Sequence, residues 1–216
     1  MTRPPVSPGA PPLNEPFVDA ARQREAALVG LWAFLATEAL LFGAPLFGLA
    51  VYRVLYEPQM QEAAGHLLRM VGAANTAVLL TSSLTMALAV HAARAANRRA
   101  AMLLLGATAG LGIAFLAVKG WEWHHEYGEG LWPAGGPGFP MESGPAELFF
   151  NLYFAVTGLH FVHLSLAVMG AVGAMAAIAL GRPRVEHSAR LVEGLGLYWH
   201  FVDIVWIFVF PVFYLM

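Results

Sequence analysis

The sequence predicts an all-α polytopic membrane protein, a bundle of five transmembrane helices. Of its 216 residues, 58% are hydrophobic and only 12% are charged, whereas a soluble domain has about 25% charged residues. Five apolar stretches reach the length of about 20 residues that crosses a bilayer. The chain has no cysteine, which excludes disulfides, iron–sulfur clusters and thiolate metal sites. Its net charge of −2 gives no reason to expect a nucleic-acid partner.

The five helices are predicted where long apolar runs lie between flanking charged residues. They are expected at about 28–52, 68–93, 99–121, 147–180 and 191–215. The fourth run is longer than a bilayer needs, so that helix should tilt or protrude. Residues 1–27 hold six of the fourteen prolines and are predicted to form a flexible cytoplasmic tail. The remainder, 28–216, is predicted to be a single transmembrane domain.

The basic residues predict the orientation of the chain. Nine of the twelve lie in the N-terminal tail or in the connections after the second and fourth helices: Arg3, Arg22, Arg24, Arg94, Arg98, Arg99, Arg182, Arg184 and Arg190. Because cytoplasmic loops are enriched in Lys and Arg, the N-terminus is predicted in the cytoplasm and the C-terminus outside.

The connection between the third and fourth helices, about 122–146, is then external. It is acidic, rich in Gly and Pro, and flanked by tryptophans that fit a membrane interface. Its first part reads WEWHHE, in which His124 and His125 could suggest a metal site. Adjacent residues point about 100° apart on a helix, so an interfacial aromatic and polar cap is the favoured interpretation.

Five ionisable residues lie deep within the predicted helices: Glu38, His160, His163, His200 and Asp203. Such groups are costly in a bilayer and are functional by default. All but His200 lie within a few residues of a predicted helix midpoint. His160 with His163, and His200 with Asp203, are spaced i,i+3 and so share a helix face. The five residues could therefore form one polar network that joins the first, fourth and fifth predicted helices.

Three interpretations of this network compete. In the first, the residues bind a metal or a haem, but no ligand set is complete by spacing alone. In the second, Glu38 and the histidines form a proton or ion path. A single mid-membrane glutamate without an acidic partner on the next helix gives such a path little support. In the third, which we favour, the groups satisfy one another across helices and fix the bundle.

Five ordered sequence blocks carry a family resemblance. They are WAFLATEALLF around Glu38, NTAVLLTSS (75–83), KGWEW (119–123), TGLHFVH (157–163) and YWHFVDIVW (198–206). Over about 30–216 the chain resembles subunit III of the haem–copper oxidases, the cytochrome c oxidase subunit III family. It looks like the short five-helix form, which lacks the first two helices of larger members.

The resemblance implies an accessory subunit with no catalytic residues and no metal of its own. Haem and copper would belong to the partner, catalytic subunit I, with subunit II or a cytochrome c subunit as further candidates. The implied role is to stabilise subunit I, bind phospholipid, and support proton uptake and aerobic electron transport in a bacterial inner membrane. Residues expected at lipid or at a subunit interface are Trp32, Trp121, Glu122, Trp123, Tyr198, Trp199 and Trp206. For the last three, the interior of the bundle stays open as an alternative.

Two alternatives stay open at this point. The pattern FFNLYFAVTGLHFVHLSLAV, 149–168, looks somewhat like the short subunit III-like proteins encoded with nitric oxide reductases, in which case the partner would be a reductase. In the other alternative, the chain is a free-standing haem-binding or proton-carrying membrane protein.

Overall fold

The computed structural model describes residues 19–133, 139, 141, 144–180 and 185–216, and the secondary structure in these ranges is helical. The helices are α1 (Ala20–Leu55), α2 (Glu57–Gly65), α3 (Arg69–Arg94), α4 (Arg98–Gly128), α5 (Gly144–Ala179) and α6 (Val185–Tyr214). Within the described ranges, all of these helices except α2 are long and apolar enough to cross a membrane. The predicted all-α fold with five membrane-spanning helices is therefore confirmed.

Several helix ends differ from the predicted ones for local reasons. α1 begins at Ala20 rather than near residue 28 because the Asp19 carboxylate accepts a 2.7 Å hydrogen bond from the Arg22 backbone N–H, as an N-cap does. The end of the expected flexible tail is thus helical, and residues 1–18 of that tail lie outside the described residues. The short helix α2 was not predicted; its second residue is Pro58, whose fixed φ favours the first helical turn.

The chain divides into two compact units, Met1–Leu41 and Phe42–Met216. In the second unit α3 packs against α4 and α6, and α5 packs against the same two helices. α2 packs against α5 and α6. The single transmembrane domain over 28–216 stays a prediction.

Close approach between helices in the second unit depends on glycine at Gly112 of α4. A Cβ atom there would lie 2.7 Å from Val168 Cγ2 and 2.9 Å from Trp199 Cη2. Both distances are shorter than carbon–carbon contacts allow. Glycine therefore lets α4 pack directly against side chains of α5 and α6.

Candidate functional site

A buried polar site is built around one face of α4. We call Lys119, Glu122, Glu126, Tyr153 and Tyr214 the lysine cluster; each is at most 1% exposed. The three α4 residues are spaced i, i+3 and i+7, so they share one side of the helix. Tyr153 comes from α5 and Tyr214 from the end of α6. The cluster therefore joins three helices.

The Lys119 ammonium lies at the centre of the lysine cluster. Its Nζ donates to Glu122 Oε2 at 3.0 Å, to Tyr153 OH at 2.5 Å and to Tyr214 OH at 2.6 Å. It also lies 4.5 Å from the centroid of the Tyr153 ring, within the range of a cation–π interaction. All three N–H groups of the ammonium are used.

Each of the two tyrosine hydroxyls in turn donates a hydrogen bond to a glutamate side chain. Tyr153 OH donates to Glu126 Oε1 at 2.7 Å, and Tyr214 OH donates to Glu122 Oε1 at 2.8 Å. Each tyrosine thus accepts from the ammonium and donates to a glutamate. Hydrogen bonds to charged groups are stronger than neutral ones, and a low-polarity interior strengthens such a network further. The cluster is a junction that fixes the mutual positions of α4, α5 and α6.

This geometry corrects the expectation for Glu122. The sequence placed Glu122 and Glu126 at the start of an external connection, and Glu122 at lipid or an interface. Instead α4 continues to Gly128 and both side chains are buried, because Lys119 and the two tyrosines provide partners for them. Lys119, Glu126, Tyr153 and Tyr214 were not predicted as site residues. The i, i+3, i+7 spacing on α4 was the available signal.

The opposite face of the same segment is exposed and carries Trp121, His124 and His125 of the WEWHHE sequence. The Trp121 ring stacks on His125 with centroids 6.0 Å apart. His125 Nε2 lies 3.4 Å from Glu129 Oε1. Among the described residues no group of three or more His, Cys, Asp or Glu side chains could hold a metal ion.

The second polar region was predicted from the sequence. We call His160 and His163 of α5, with His200 and Asp203 of α6, the histidine region. His160 is 1% exposed, and its ring packs between Phe115 at 5.6 Å and Trp206 at 5.0 Å. Neither of its ring nitrogens has a hydrogen-bond partner among the described residues. His163 Nδ1 lies 2.8 Å from the Leu159 carbonyl oxygen of its own helix.

His200 and Asp203 face α3. His200 Nδ1 lies 2.7 Å from the Ser83 hydroxyl, at a cavity of about 280 Å³ between α3 and α6. Asp203 is 3% exposed. Neither of its carboxylate oxygens makes a hydrogen bond of standard geometry within the described ranges, although the Ser83 side chain interacts with the carboxylate.

The structure thus connects the histidine region to α3, a helix that the predicted network did not include. Ser83 is the residue that makes this connection. Glu38 belongs to the unit that ends at Leu41, and its place in the predicted network stays a prediction.

The tryptophans of α6 also differ from expectation. Trp199 and Trp206, expected at lipid or an interface, are at most 1% exposed. Their indole N–H groups donate to Ser82 Oγ at 3.1 Å and to Thr76 Oγ1 at 2.9 Å. A buried indole needs such an acceptor. The NTAVLLTSS block on α3 supplies both, so these tryptophans hold α6 to α3.

The other residues expected at lipid or an interface are more accessible. Trp32 is 64% exposed and Trp121 is 55% exposed. Trp123 is half-buried and packs against Phe161, with ring centroids 5.2 Å apart. Tyr198 is half-buried, and its hydroxyl donates to the His163 carbonyl at 3.3 Å. Contact of these four residues with lipid or another subunit stays a prediction.

Comparison with known proteins agrees with the motifs that the structure gathers. Residues 67–216 match the family described as cytochrome c oxidase subunit III. The chain is 33% identical over 189 residues to cytochrome bo(3) ubiquinol oxidase subunit 3 of Pseudomonas aeruginosa, covering 87% of this chain and 83% of that protein. It is 30% identical over 191 residues to cytochrome c oxidase subunit 3 of Alkalihalophilus pseudofirmus, covering 87% and 85%.

A third relative has a different organisation. The chain is 29% identical over 193 residues to heme-copper oxidase subunit I+III of Aeropyrum pernix, covering 86% of this chain but 22% of that protein. The family match and the first two relatives each span most of this sequence. The chain therefore belongs to the cytochrome c oxidase subunit III family, whose members are accessory subunits of haem–copper and quinol oxidases.

Proposed function

We propose that this chain stabilises the catalytic subunit I of a respiratory haem–copper oxidase and has no redox centre of its own. The observation that carries this is the family match over 67–216. The Aeropyrum pernix relative supports the partner, because its name combines subunits I and III in one protein. We expect the separate chain here to bind a separate subunit I.

The exposed apolar surface supports further contacts with lipid and protein. Large side chains such as Trp32, Leu40, Phe47 and Leu103 are more than 60% exposed on the isolated chain. In a bilayer such side chains contact acyl chains or a neighbouring subunit. We propose that phospholipid covers part of this surface. Subunit I covers another part, together with subunit II or a cytochrome c subunit.

Co-purification tests the proposal directly. An affinity-tagged chain is extracted in mild detergent, and the bound proteins and the visible spectrum of the sample are recorded. We expect a subunit I with its haem, and loss of the haem spectrum when subunit I is stripped away. A nitric oxide reductase subunit in its place would favour the reductase alternative. Haem that stays with the stripped chain would favour the haem-binding alternative.

The electron donor is tested on the same complex. The relatives include both a ubiquinol oxidase subunit and a cytochrome c oxidase subunit, so either donor is compatible with the family. Oxygen consumption is measured with a reduced quinol and with reduced cytochrome c. The donor that sustains turnover identifies the type of oxidase.

We propose a bacterial inner membrane location with the N-terminus in the cytoplasm and the C-terminus outside. The distribution of basic residues supports this orientation. Alkaline phosphatase, which is active only outside the cytoplasm, is fused to the C-terminus, and as the matched control to the α3–α4 connection near Ala96. We expect activity from the C-terminal fusion alone. The opposite pattern would reverse the orientation.

We further propose that Glu38 supports proton uptake by the complex. The change Glu38→Gln preserves size but removes a group that can release a proton. We expect unchanged haem content and a faster decline of oxygen consumption during sustained turnover. Glu25→Gln, at an exposed glutamate of the same helix, is the matched control. Loss of haem in Glu38→Gln would contradict a purely supporting role.

A further inference from the structure

The hydrogen bonds of the lysine cluster leave one buried atom without a donor. The ammonium of Lys119 has three protons and the two phenols have one each. Their recipients are Glu122 twice, Tyr153, Tyr214 and Glu126 Oε1. Every proton is therefore in use, and the 3.1 Å contact between the two phenol oxygens has none left to share. Glu126 Oε2 is buried and has no hydrogen-bond partner among the described residues.

The charge balance of the cluster also indicates that the Glu126 carboxyl group carries a proton. Three donated hydrogen bonds require the charged ammonium, because a neutral amine has only two N–H groups. Glu122 accepts on both oxygens, from the ammonium and from Tyr214, which favours its ionised form. One positive and one negative charge then balance. An ionised Glu126 would add a second negative charge that no further cation in the described cluster offsets.

Within the part of the chain that the structure describes, the other groups around Glu126 do not supply that cation. The charged or titratable neighbours are Lys119 and Glu122 on α4, Glu129 directly after its end, Tyr153 on α5 and Tyr214 on α6. Glu129 would add further negative charge. A buried charge without a partner costs several kcal/mol, whereas a neutral buried carboxylic acid avoids that cost.

We propose that the lysine cluster is a proton-binding site in which Glu126 carries the bound proton on Oε2. The Oε1 atom continues to accept from Tyr153, and the cluster as a whole is neutral. The proton is then a ligand of the junction between α4, α5 and α6. All five side chains of this site belong to this chain, so the site does not depend on the identity of the catalytic partner.

Infrared spectroscopy of the purified complex tests the proposal. A protonated carboxylic acid has a carbonyl stretch that is separate from the amide and carboxylate bands, and it shifts in heavy water. We expect one such band in the wild type, shifted by carbon-13 labelling of glutamate but not of aspartate. The band should be absent from Glu126→Gln and present in Glu129→Gln, a change at an exposed glutamate directly after the end of α4. A spectrum in which Glu126→Gln loses no acid band would overturn the proposal.

A stability comparison of the two glutamates provides a second, independent test. Glu126→Gln replaces a neutral acid with a neutral amide that still accepts from Tyr153, so we expect a small shift in the melting temperature of the complex. Glu122→Gln removes the counter-charge of Lys119, so we expect a much larger downward shift. Equal shifts in both variants would mean that Glu126 is also ionised, and would contradict the bound proton. If Glu126→Gln does not assemble, Glu126→Asp keeps a carboxyl group at this position, and its acid band should then shift with carbon-13 labelling of aspartate instead of glutamate; a band that still shifts only with labelled glutamate would overturn the proposal.

Discussion

The lysine cluster and the histidine region both place ionisable side chains inside membrane-spanning helices, yet they are bonded very differently. In the first, five buried side chains use every donor and connect three helices. In the second, His160 has no hydrogen-bond partner among the described residues, and His163 bonds a carbonyl oxygen of its own helix. The depth of an ionisable residue in the bilayer therefore marks it as unusual but does not show its role. The number and direction of its hydrogen bonds are needed for that.

The two regions are therefore held in place by different forces. The lysine cluster depends on charge-assisted hydrogen bonds, in which loss of one partner leaves others buried and unpaired. His160 is instead enclosed by Phe115 and Trp206, so shape and ring contacts hold it. Substitutions should separate these two cases by the size of their effect on stability.

The largest effect is expected from Lys119→Met, which would break the cluster. It leaves the two tyrosines without a donor and the Glu122 carboxylate without its counter-charge. Removing one partner of a buried ion pair costs about 3–5 kcal/mol, so we expect a strongly lowered melting temperature and a reduced yield of the complex. Thermal unfolding in detergent measures this. Arg53→Met, at an exposed basic residue, is the control, and a Lys119→Met complex as stable as that control would show that the cluster adds no stability.

An intermediate effect is expected where packing alone is changed. Gly112→Ala would force its methyl group against Val168 and against Trp199, the neighbour of His200. Overpacking of this kind costs about 1–3 kcal/mol, and we expect a moderate fall in the melting temperature. The control is Gly110→Ala on the same helix, where a Cβ atom meets nothing within 4 Å. Equal behaviour of the two variants would mean that α4 can shift away without cost.

The sequence was sufficient for the fold because spanning a bilayer requires long apolar runs, and these are visible without any tertiary information. It was insufficient for the lysine cluster. The acidic, Gly- and Pro-rich composition of about 122–146 suggested a loop, although Lys119, Glu122 and Glu126 keep helical spacing. Their partners Tyr153 and Tyr214 lie 34 and 95 positions from Lys119 along the chain. Such pairing depends on how the helices pack, which a single sequence does not show.

The tryptophans of α6 are a second case in which the sequence did not show the partner of a side chain. Trp199 and Trp206 were expected at lipid or a subunit interface, and the sequence left the interior of the bundle open as an alternative. The hydroxyls of Ser82 and Thr76 on α3 satisfy their N–H groups inside the bundle instead. Because hydroxyl-bearing residues are common in packed membrane helices, their presence in one helix does not identify the side chain that they bind.

The smallest effect is expected from His160→Phe, which sharpens the contrast with Lys119→Met. The new ring keeps the contacts with Phe115 and Trp206 and removes two nitrogens that have no partner among the described residues. A swap that preserves volume costs less than about 1.5 kcal/mol, so the melting temperature and the haem content of the complex should change little. His160→Ala is the matched control, because it removes the ring and should cost more through the cavity that it leaves. If His160→Phe instead destabilised the complex as much as Lys119→Met, His160 would have to bind a polar partner in the assembled oxidase, and the difference between the two regions would disappear.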